Sequence, residues 1–133
     1  MKIKLRKTDT LFAKYIKQRD DYTCQRCGKM HPDGGRGLHC SHYWGRGREN
    51  VRFDPENCIT LCFGCHRIWG GDERHEYTDF MRRRLGDTAY DLLDVRAHTY
   101  KKRDDLLDEI ILKQLLKEVN NGSYSKNYRL RQA

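Results

Sequence analysis

Two pairs of cysteines carry the clearest chemical signal in the sequence. Each pair has the spacing Cys-x-x-Cys, and 34 residues lie between the pairs, which are Cys24/Cys27 and Cys62/Cys65. Four thiolates in this pattern form a closed tetrahedral zinc site, and closed zinc sites are structural rather than catalytic. Six cysteines can also form the disulfide framework of a secreted protein, but the paired spacing favours metal binding in a reducing cytosol. The sequence therefore predicts structural Zn²⁺ on these four residues.

The two remaining cysteines, Cys40 and Cys58, have less distinctive surroundings. Cys58 stands in the apolar run "NCITLC" and is interpreted as a small core residue. Cys40 would share one face of a strand with Leu38 and His42, because side chains on a strand alternate between its two faces. Packing is favoured for Cys40, and ligation remains the alternative.

A second set of residues whose side chains could take part in a reaction is His42, Asn57 and His66, spaced by fifteen and nine positions. The stretch 38–44, "LHCSHYW", predicts a strand, and "VRF" at 51–53 predicts its return partner, which places Asn57 in the loop that follows. His66 falls on a helix predicted to begin near 62–65. Successive helical residues project about 100° apart, so a zinc-bound Cys65 directs His66 to another face. The pattern predicts a second site distinct from the zinc site.

Helices are predicted on both sides of this segment. Thr8, Asp9 and Thr10 are N-cap candidates for an amphipathic helix that ends near 19–21. Glycine residues that separate helical stretches predict three further helices, at 73–85, 87–101 and 104–121. The fold class is thus α+β. The predicted organisation is a basic segment and helix at 1–21, a zinc-stapled core at 22–72, a helical extension at 73–122 and a basic tail at 123–133.

Length, composition and charge limit the functional classes. A chain of 133 residues with 37% hydrophobic and 35% charged residues forms one domain with a modest core. The net charge is +8, and residues 1–57 hold thirteen Lys and Arg against seven Asp and Glu. Basic charge around the cysteines favours a polyanionic partner such as DNA. No apolar run is long enough to span a membrane, so an intracellular, cytoplasmic protein without membrane partners is expected.

Residues 20–72 resemble the HNH endonuclease family, in the branch that adds two Cys-x-x-Cys pairs. The resemblance is carried by His42, by "ENCITLCFGCH" and by both cysteine pairs. It implies a ββα-metal (His-Me finger) core and hydrolysis of phosphodiester bonds in DNA. By that likeness His42 is the general base, Asn57 positions His42, and His66 binds a catalytic Mg²⁺ or Mn²⁺ ion. In some members of the family the asparagine also touches the metal.

The chain departs from the family pattern at two metal-ligand positions. Ser41 stands where many members have an acidic residue or histidine before the base, and is a candidate metal ligand here. Gly70 stands where some members carry a further histidine. A hard cation can keep several waters and be completed by phosphate oxygens. Arg46 and Arg48, in the glycine-rich turn after His42, are candidate DNA contacts, with a solvated turn as the alternative.

A wider resemblance, over residues 10–97, is to phage recombination proteins of the lambda NinG (Rap) type. It is carried by "FAKYIKQRDDYTCQRCGK", "HCSHYWGRG" and "VRFDPEN", although that group often has asparagine at the place of His66. It implies a phage or bacterial protein that cleaves branched or junction DNA.

The broad apolar stripe of the last helix either packs on preceding helices or forms a homodimer interface. The rival function is a non-catalytic, zinc-dependent DNA-binding module.

Overall fold

The computed structural model describes residues 3–31 and 33–120, and in these the fold is α+β. The predicted tail at 123–133 lies outside the described residues. The α-helices are α1 (Lys7–Arg19), α2 (Phe63–Gly70), α3 (Arg74–Leu85), α4 (Asp87–Ala97) and α5 (Asp105–Asn120), and the strands are β1 (Leu38–His42) and β2 (Cys58–Cys62). The helices predicted at both ends are therefore confirmed, but the one predicted over 87–101 ends at Ala97, where His98 is the C-cap and the Thr99 hydroxyl donates to the Val95 carbonyl.

The two strands form an antiparallel sheet in which His42 lies opposite Cys58. The strand predicted from residue 38 is confirmed over Leu38–His42, but the return strand predicted at 51–53 is wrong. Those residues lie in and just after a 3₁₀ turn, Glu49–Val51, and their apolar alternation arises because a turn buries Val51 completely. The β-branched run of "CITLC" forms the partner strand instead, so Asn57 directly precedes β2 rather than following the return strand.

Helix α1 begins earlier than predicted. Arg6 is its N-cap, and the carboxylate of Asp9, three residues into the helix, accepts a hydrogen bond from the Arg6 amide at 2.7 Å. The prediction of Thr8, Asp9 or Thr10 as the N-cap is wrong, because Asp9 serves as the acidic N3 residue of a capping box. The start of α1 is thereby tied to Asp9, which also reaches the loop after β1.

The sheet lies between two apolar cores. The core beneath helices α2, α3 and α4 includes Ile59, Leu61, Tyr77, Met81 and Leu93. The core between the sheet and helices α1 and α5 includes Phe12, Ile16, Cys40, Cys58 and Leu112. The elements that carry the predicted site residues, β1, β2 and the start of α2, are thus held from both sides.

Helix α5 uses only part of its apolar stripe for packing inside the chain. Leu112 and Leu116 are buried against α1. Four further apolar residues of the helix are exposed, namely Leu106, Leu107, Ile110 and Ile111. Packing on a preceding helix is therefore observed, and the first helix of the chain is the partner.

Within the described residues, no helix is both long and apolar enough to cross a membrane.

Candidate metal centre and histidine site

The four paired cysteines come together from two separate segments. Cys24 and Cys27 lie in a tight turn after α1, where Gly28 has a φ of 79° and an isolated bridge joins Thr23 to Met30. Cys62 is the last residue of β2, and Cys65 lies in the first turn of α2. The sequence separation of the two pairs is therefore taken up by β1, the loop after it and β2.

The spacing of the four sulfur atoms matches a tetrahedral ion. All four Sγ atoms lie within 4.8 Å of one another, and those of Cys27 and Cys62 are 3.9 Å apart. Zinc–sulfur bonds of about 2.3 Å place the sulfurs of a tetrahedral site about 3.8 Å apart. The cysteines are therefore positioned to bind a metal ion, and the donor set is compatible with structural zinc.

Hydrogen-bond donors lie against two of the four sulfurs, those of Cys24 and Cys65. Burial raises the pKa of Cys24, but backbone amides, among them that of Cys27 at 3.5 Å, outweigh burial and lower this pKa to about 7. Burial raises the pKa of Cys65 to about 12, although the guanidinium of Arg26, 3.5 Å from its Sγ, acts in the opposite direction and favours the thiolate. Glu76 accepts hydrogen bonds from Arg26 at 2.9 Å and from the Trp69 indole at 2.8 Å, which fixes the arginine over the site.

Replacement of Arg26 should weaken metal binding without removing a ligand. Four thiolates and one Zn²⁺ carry a net charge of −2, which the guanidinium partly offsets. We expect Arg26→Gln to raise the zinc dissociation constant about 10- to 100-fold, as measured by competition with a chelating dye. Arg83→Gln, an equal change of charge at an exposed position of α3, is the control. Equal affinities in the two variants would show that Arg26 does not support the site.

His42 ends β1 and has one occupied and one free ring nitrogen. Its Nε2 lies 2.8 Å from the backbone carbonyl oxygen of Arg52. A carbonyl oxygen can only accept, so we assign the proton to Nε2, and Nδ1 keeps its lone pair. Nδ1 is buried and has no hydrogen-bond partner. Burial, followed by the charge of Arg46, lowers the pKa of His42 to about 4, so the ring is neutral near pH 7.

Asn57 holds the loop that orients His42. Its Oδ1 accepts from the Trp44 amide at 2.9 Å, and its Nδ2 donates to the Trp44 carbonyl at 2.8 Å and the Val51 carbonyl at 3.0 Å. The side chain is fully buried and makes no hydrogen bond to His42. Asn57 therefore fixes both ends of the loop between Trp44 and Val51, and the next residue, Arg52, supplies the carbonyl that His42 uses.

A buried ion pair anchors the same carbonyl to α1. The Arg52 guanidinium meets the Asp9 carboxylate at 2.6 Å, and both side chains are less than 5% exposed. Burial raises the pKa of Asp9, but hydrogen bonds from the Arg52 side chain and the Arg6 amide outweigh it and hold the pKa below its usual range. The first helix thus positions His42 through Asp9 and Arg52.

Asp9→Asn should lower the free energy of unfolding by about 3–5 kcal/mol at pH 7, because Arg52 would remain buried without a charged partner. The pKa of Asp9 is lower in the folded than in the unfolded state. Its stabilisation is therefore present above the unfolded value of about 3.9 and is lost as the pH falls through the folded value. The deficit of the variant should shrink in that acidic range, as measured by urea unfolding between pH 7 and 3.

The matched control for this prediction is Asp79→Asn, which makes the same change at an exposed position of α3. It should unfold like the unmodified chain at every pH. A deficit of equal size in both variants, or one that stays constant into acid, would contradict the role of the ion pair.

His66 lies in α2 and packs against a histidine that the sequence did not single out. Its ring stacks on that of His39, with centroids 5.2 Å apart and planes 10° apart. The Nδ1 of His66 is buried without a hydrogen-bond partner. Burial, followed by the charges of His39 and Arg46, lowers the pKa of His66. His66 is therefore directed away from the sulfur cluster that contains its neighbour Cys65.

The other predicted site residues have clear positions. Ser41 is buried on the opposite face of β1 from His42, and its hydroxyl lies 3.0 Å from that of Tyr77. Arg48 donates to the Ala97 carbonyl at 3.3 Å, and its guanidinium lies 5.1 Å from the Trp44 ring centre. Arg46 faces Asp9 at 3.5 Å. Of the two arginines, Arg46 is thus the one directed toward the histidines.

The three residues of the predicted triad are only partly brought together. In the described ranges, no hydrogen bond or ring contact joins His42, Asn57 and His66 to one another. Arg46 is the nearby charge that His42 and His66 share, because it lowers the pKa of both. The link from Asn57 to His42 runs through the backbone of the loop. Alternation along β1 is the signal that could have identified His39, since it places His39 and Ser41 on the face toward α2 and α3.

Comparisons of the chain with family models, with curated proteins and with solved structures gave no match. The class that the structure itself defines is an α+β protein with four cysteines positioned to bind a metal ion.

Proposed function

We propose that this protein is a metal-dependent DNA endonuclease of the HNH type. The observation that carries the proposal is the state of His42, which is neutral, fixed in one tautomer and left with a free lone pair on Nδ1. A general base for attack by water needs this combination. The order β1, β2, α2 with Cys62 and Cys65 at the last junction supports the same assignment.

Each residue of the site then has a defined task. His42 takes the proton from the attacking water at Nδ1, a buried atom, so this step requires that substrate binding admit water beside the ring, and the Arg52 carbonyl keeps the ring oriented. Asn57 maintains that orientation through the loop between Trp44 and Val51. His66 offers its unpartnered Nδ1 to a divalent ion. When bound, Mg²⁺ or Mn²⁺ supplies positive charge to the scissile phosphate and the leaving oxygen.

The two other predicted ligands, Ser41 and Asn57, contribute little to such an ion. The hydroxyl of Ser41 is paired with Tyr77, and the amide of Asn57 is paired with backbone groups of the loop. His66 is then the main protein ligand of the proposed ion. Waters and substrate phosphate oxygens supply the rest of the coordination shell, as Mg²⁺ commonly accepts.

A basic groove beside Arg46 fits a nucleic-acid backbone. It has a volume of about 400 Å³, and its lining includes Lys14, Lys17 and Arg46. Asp9 also lines the groove and lies 3.5 Å from Arg46, so one of the three positive charges is offset and the other two can neutralise phosphates of a strand and release their counterions. Because Arg46 also lies near His42 and His66, a strand in this groove would pass the proposed base. Arg48, tied to α4, would act at the edge of that path.

The test is cleavage of supercoiled plasmid and of four-way-junction DNA by the purified protein with Mg²⁺, with Mn²⁺ and with EDTA. Cleavage that needs the divalent ion and is lost in His42→Ala is expected. Junctions cut in preference to plasmid would support a role in recombination, whereas equal cutting would leave a nuclease without that role. If protein and variant bind DNA equally and neither cuts it with any ion, the protein is a zinc-dependent DNA-binding module.

A further inference from the structure

Three potential metal ligands outside the four-cysteine site converge at one end of the sheet. They are Cys40, His42 and Cys58, and one ligand atom from each lies within 4.8 Å of the others. His42 is paired directly with Cys58 across the two strands, and Cys40 lies two residues before His42 on the same face of β1. The register of the sheet, rather than a flexible loop, therefore holds the three groups together.

A second observation is that the His42 ring has a free nitrogen. Nδ1 is buried and has no hydrogen-bond partner, while Nε2 is occupied by the Arg52 carbonyl. A buried nitrogen without a partner loses its hydration and gains nothing in return. A metal ion bound to Nδ1 would remove this cost. Both cysteines are free and buried, so water has little access to their thiols and competes little with them for a metal ion.

The charge of a loaded site would suit its surroundings. Two thiolates and a neutral imidazole around a divalent cation have no net charge, in contrast to the −2 of a loaded four-cysteine site. The cluster lies in the apolar core with Phe12 and Leu112, where an uncompensated charge would be costly. The net charge of each loaded site thus fits its environment. The negative four-cysteine site has the guanidinium of Arg26 beside it, whereas the neutral site lies among apolar residues.

We propose that Cys40, His42 and Cys58 form a second site for a thiophilic divalent ion such as Zn²⁺. Each thiol releases a proton as its sulfur binds the ion, and Nδ1 binds through its lone pair. Three protein ligands leave one tetrahedral position for water or another small ligand. The site is separate from the four-cysteine site and from any hard cation near His66.

The second site has a consequence that rests on the proposed function. The lone pair of Nδ1 cannot bind Zn²⁺ and accept a proton from water at the same time. Zn²⁺ at this site should therefore inhibit cleavage, and the ion should protect the thiols of Cys40 and Cys58. Inhibition by zinc would act at His42 and not through loss of the structural ion.

The test is titration with Co²⁺ of the folded protein that already holds one zinc ion, followed by thiolate-to-cobalt charge-transfer absorption. One additional equivalent per chain is expected. Cys40→Ser and Cys58→Ala should each lower the affinity at least 100-fold, and circular dichroism will identify any variant that fails to fold. His42→Ala should also weaken binding, whereas His39→Ala, a histidine of the same strand outside the cluster, should not.

The proposal is overturned if no charge-transfer absorption appears in the unmodified protein, or if it persists unchanged in Cys40→Ser. A Cys40–Cys58 disulfide, with no second ion bound after reduction, also overturns it. The binding measurement does not depend on nuclease activity, so a protein that cuts no DNA can still confirm the site. In a protein that does cut DNA, inhibition by micromolar Zn²⁺ should disappear in the Cys40→Ser variant.

Discussion

Removal of the ion from the four-cysteine site should unfold the protein. Binding of structural zinc contributes about 10–16 kcal/mol in small metal-dependent folds, which equals or exceeds the total stability of about 5–15 kcal/mol typical of a domain. Here the ion would join the turn after α1 to the end of β2 and the start of α2, through two cysteines on each side. We expect a strong chelator to abolish the cooperative thermal transition in circular dichroism.

The best single substitution for this prediction is Cys27→Ser, because Cys27 is exposed and its replacement leaves no cavity in the core. It should lower the melting temperature sharply in the presence of zinc. Lys29→Ser, in the same turn, is the matched control, since it introduces the same residue without removing a ligand. A protein that melts identically with and without chelator, with less than one zinc bound per chain, would show that the four-cysteine cluster is not a structural metal site.

The four-cysteine cluster could be predicted from sequence because its signal is local. Each Cys-x-x-Cys pair brings two sulfurs together within a single turn, and only the meeting of the two pairs needs the rest of the fold. The structure confirms the cluster as a set of residues positioned to bind a metal ion. The identity of the ion stays a prediction, as do the catalytic cation, the resemblance to HNH proteins and the DNA partner.

The return strand shows where local patterns fail. Residues 51–53 alternate apolar and charged side chains as a strand would, but the alternation reflects burial in a turn. Arg52, between Val51 and Phe53, is itself buried, because it pairs with Asp9 from a helix 43 residues away in sequence. A short stretch of sequence around residue 52 does not include Asp9, so no local pattern reveals this pairing. The true strand, Cys58–Cys62, could have been found by its β-branched Ile59 and Thr60.

The state of His42 could not be predicted from sequence either. A resemblance can assign a base to position 42, but only the three-dimensional structure shows which ring nitrogen is occupied. The acceptor is a backbone carbonyl, which every residue has, so the sequence contains no sign of it. The position of that carbonyl depends on Asn57 and on the ion pair between Asp9 and Arg52. Substitutions at Asn57 and at Asp9, both far from His42 in sequence, should therefore change the orientation of the His42 ring.

Under the proposed nuclease function, replacement of His42 should remove cleavage while leaving DNA binding intact. A positioned general base contributes about 10²- to 10⁴-fold to a rate, so His42→Ala should lower kcat by that factor at saturating divalent ion. The basic groove with Lys14, Lys17 and Arg46 is unchanged in the variant, and the dissociation constant for DNA should stay within about twofold. Single-turnover cleavage of a labelled duplex, with filter binding or fluorescence anisotropy, measures both quantities.

Added imidazole separates a missing base from a damaged fold. The alanine variant leaves a space that imidazole can enter, and a free base should restore part of the rate in proportion to its concentration. His75→Ala, at an exposed histidine of α3, should keep the full rate and show no response to imidazole. Asp9→Asn should show a partial loss, because His42 is present but its orienting carbonyl is released. An unimpaired His42→Ala enzyme would remove the histidine from the mechanism, and a loss that imidazole does not relieve would assign it a structural role instead.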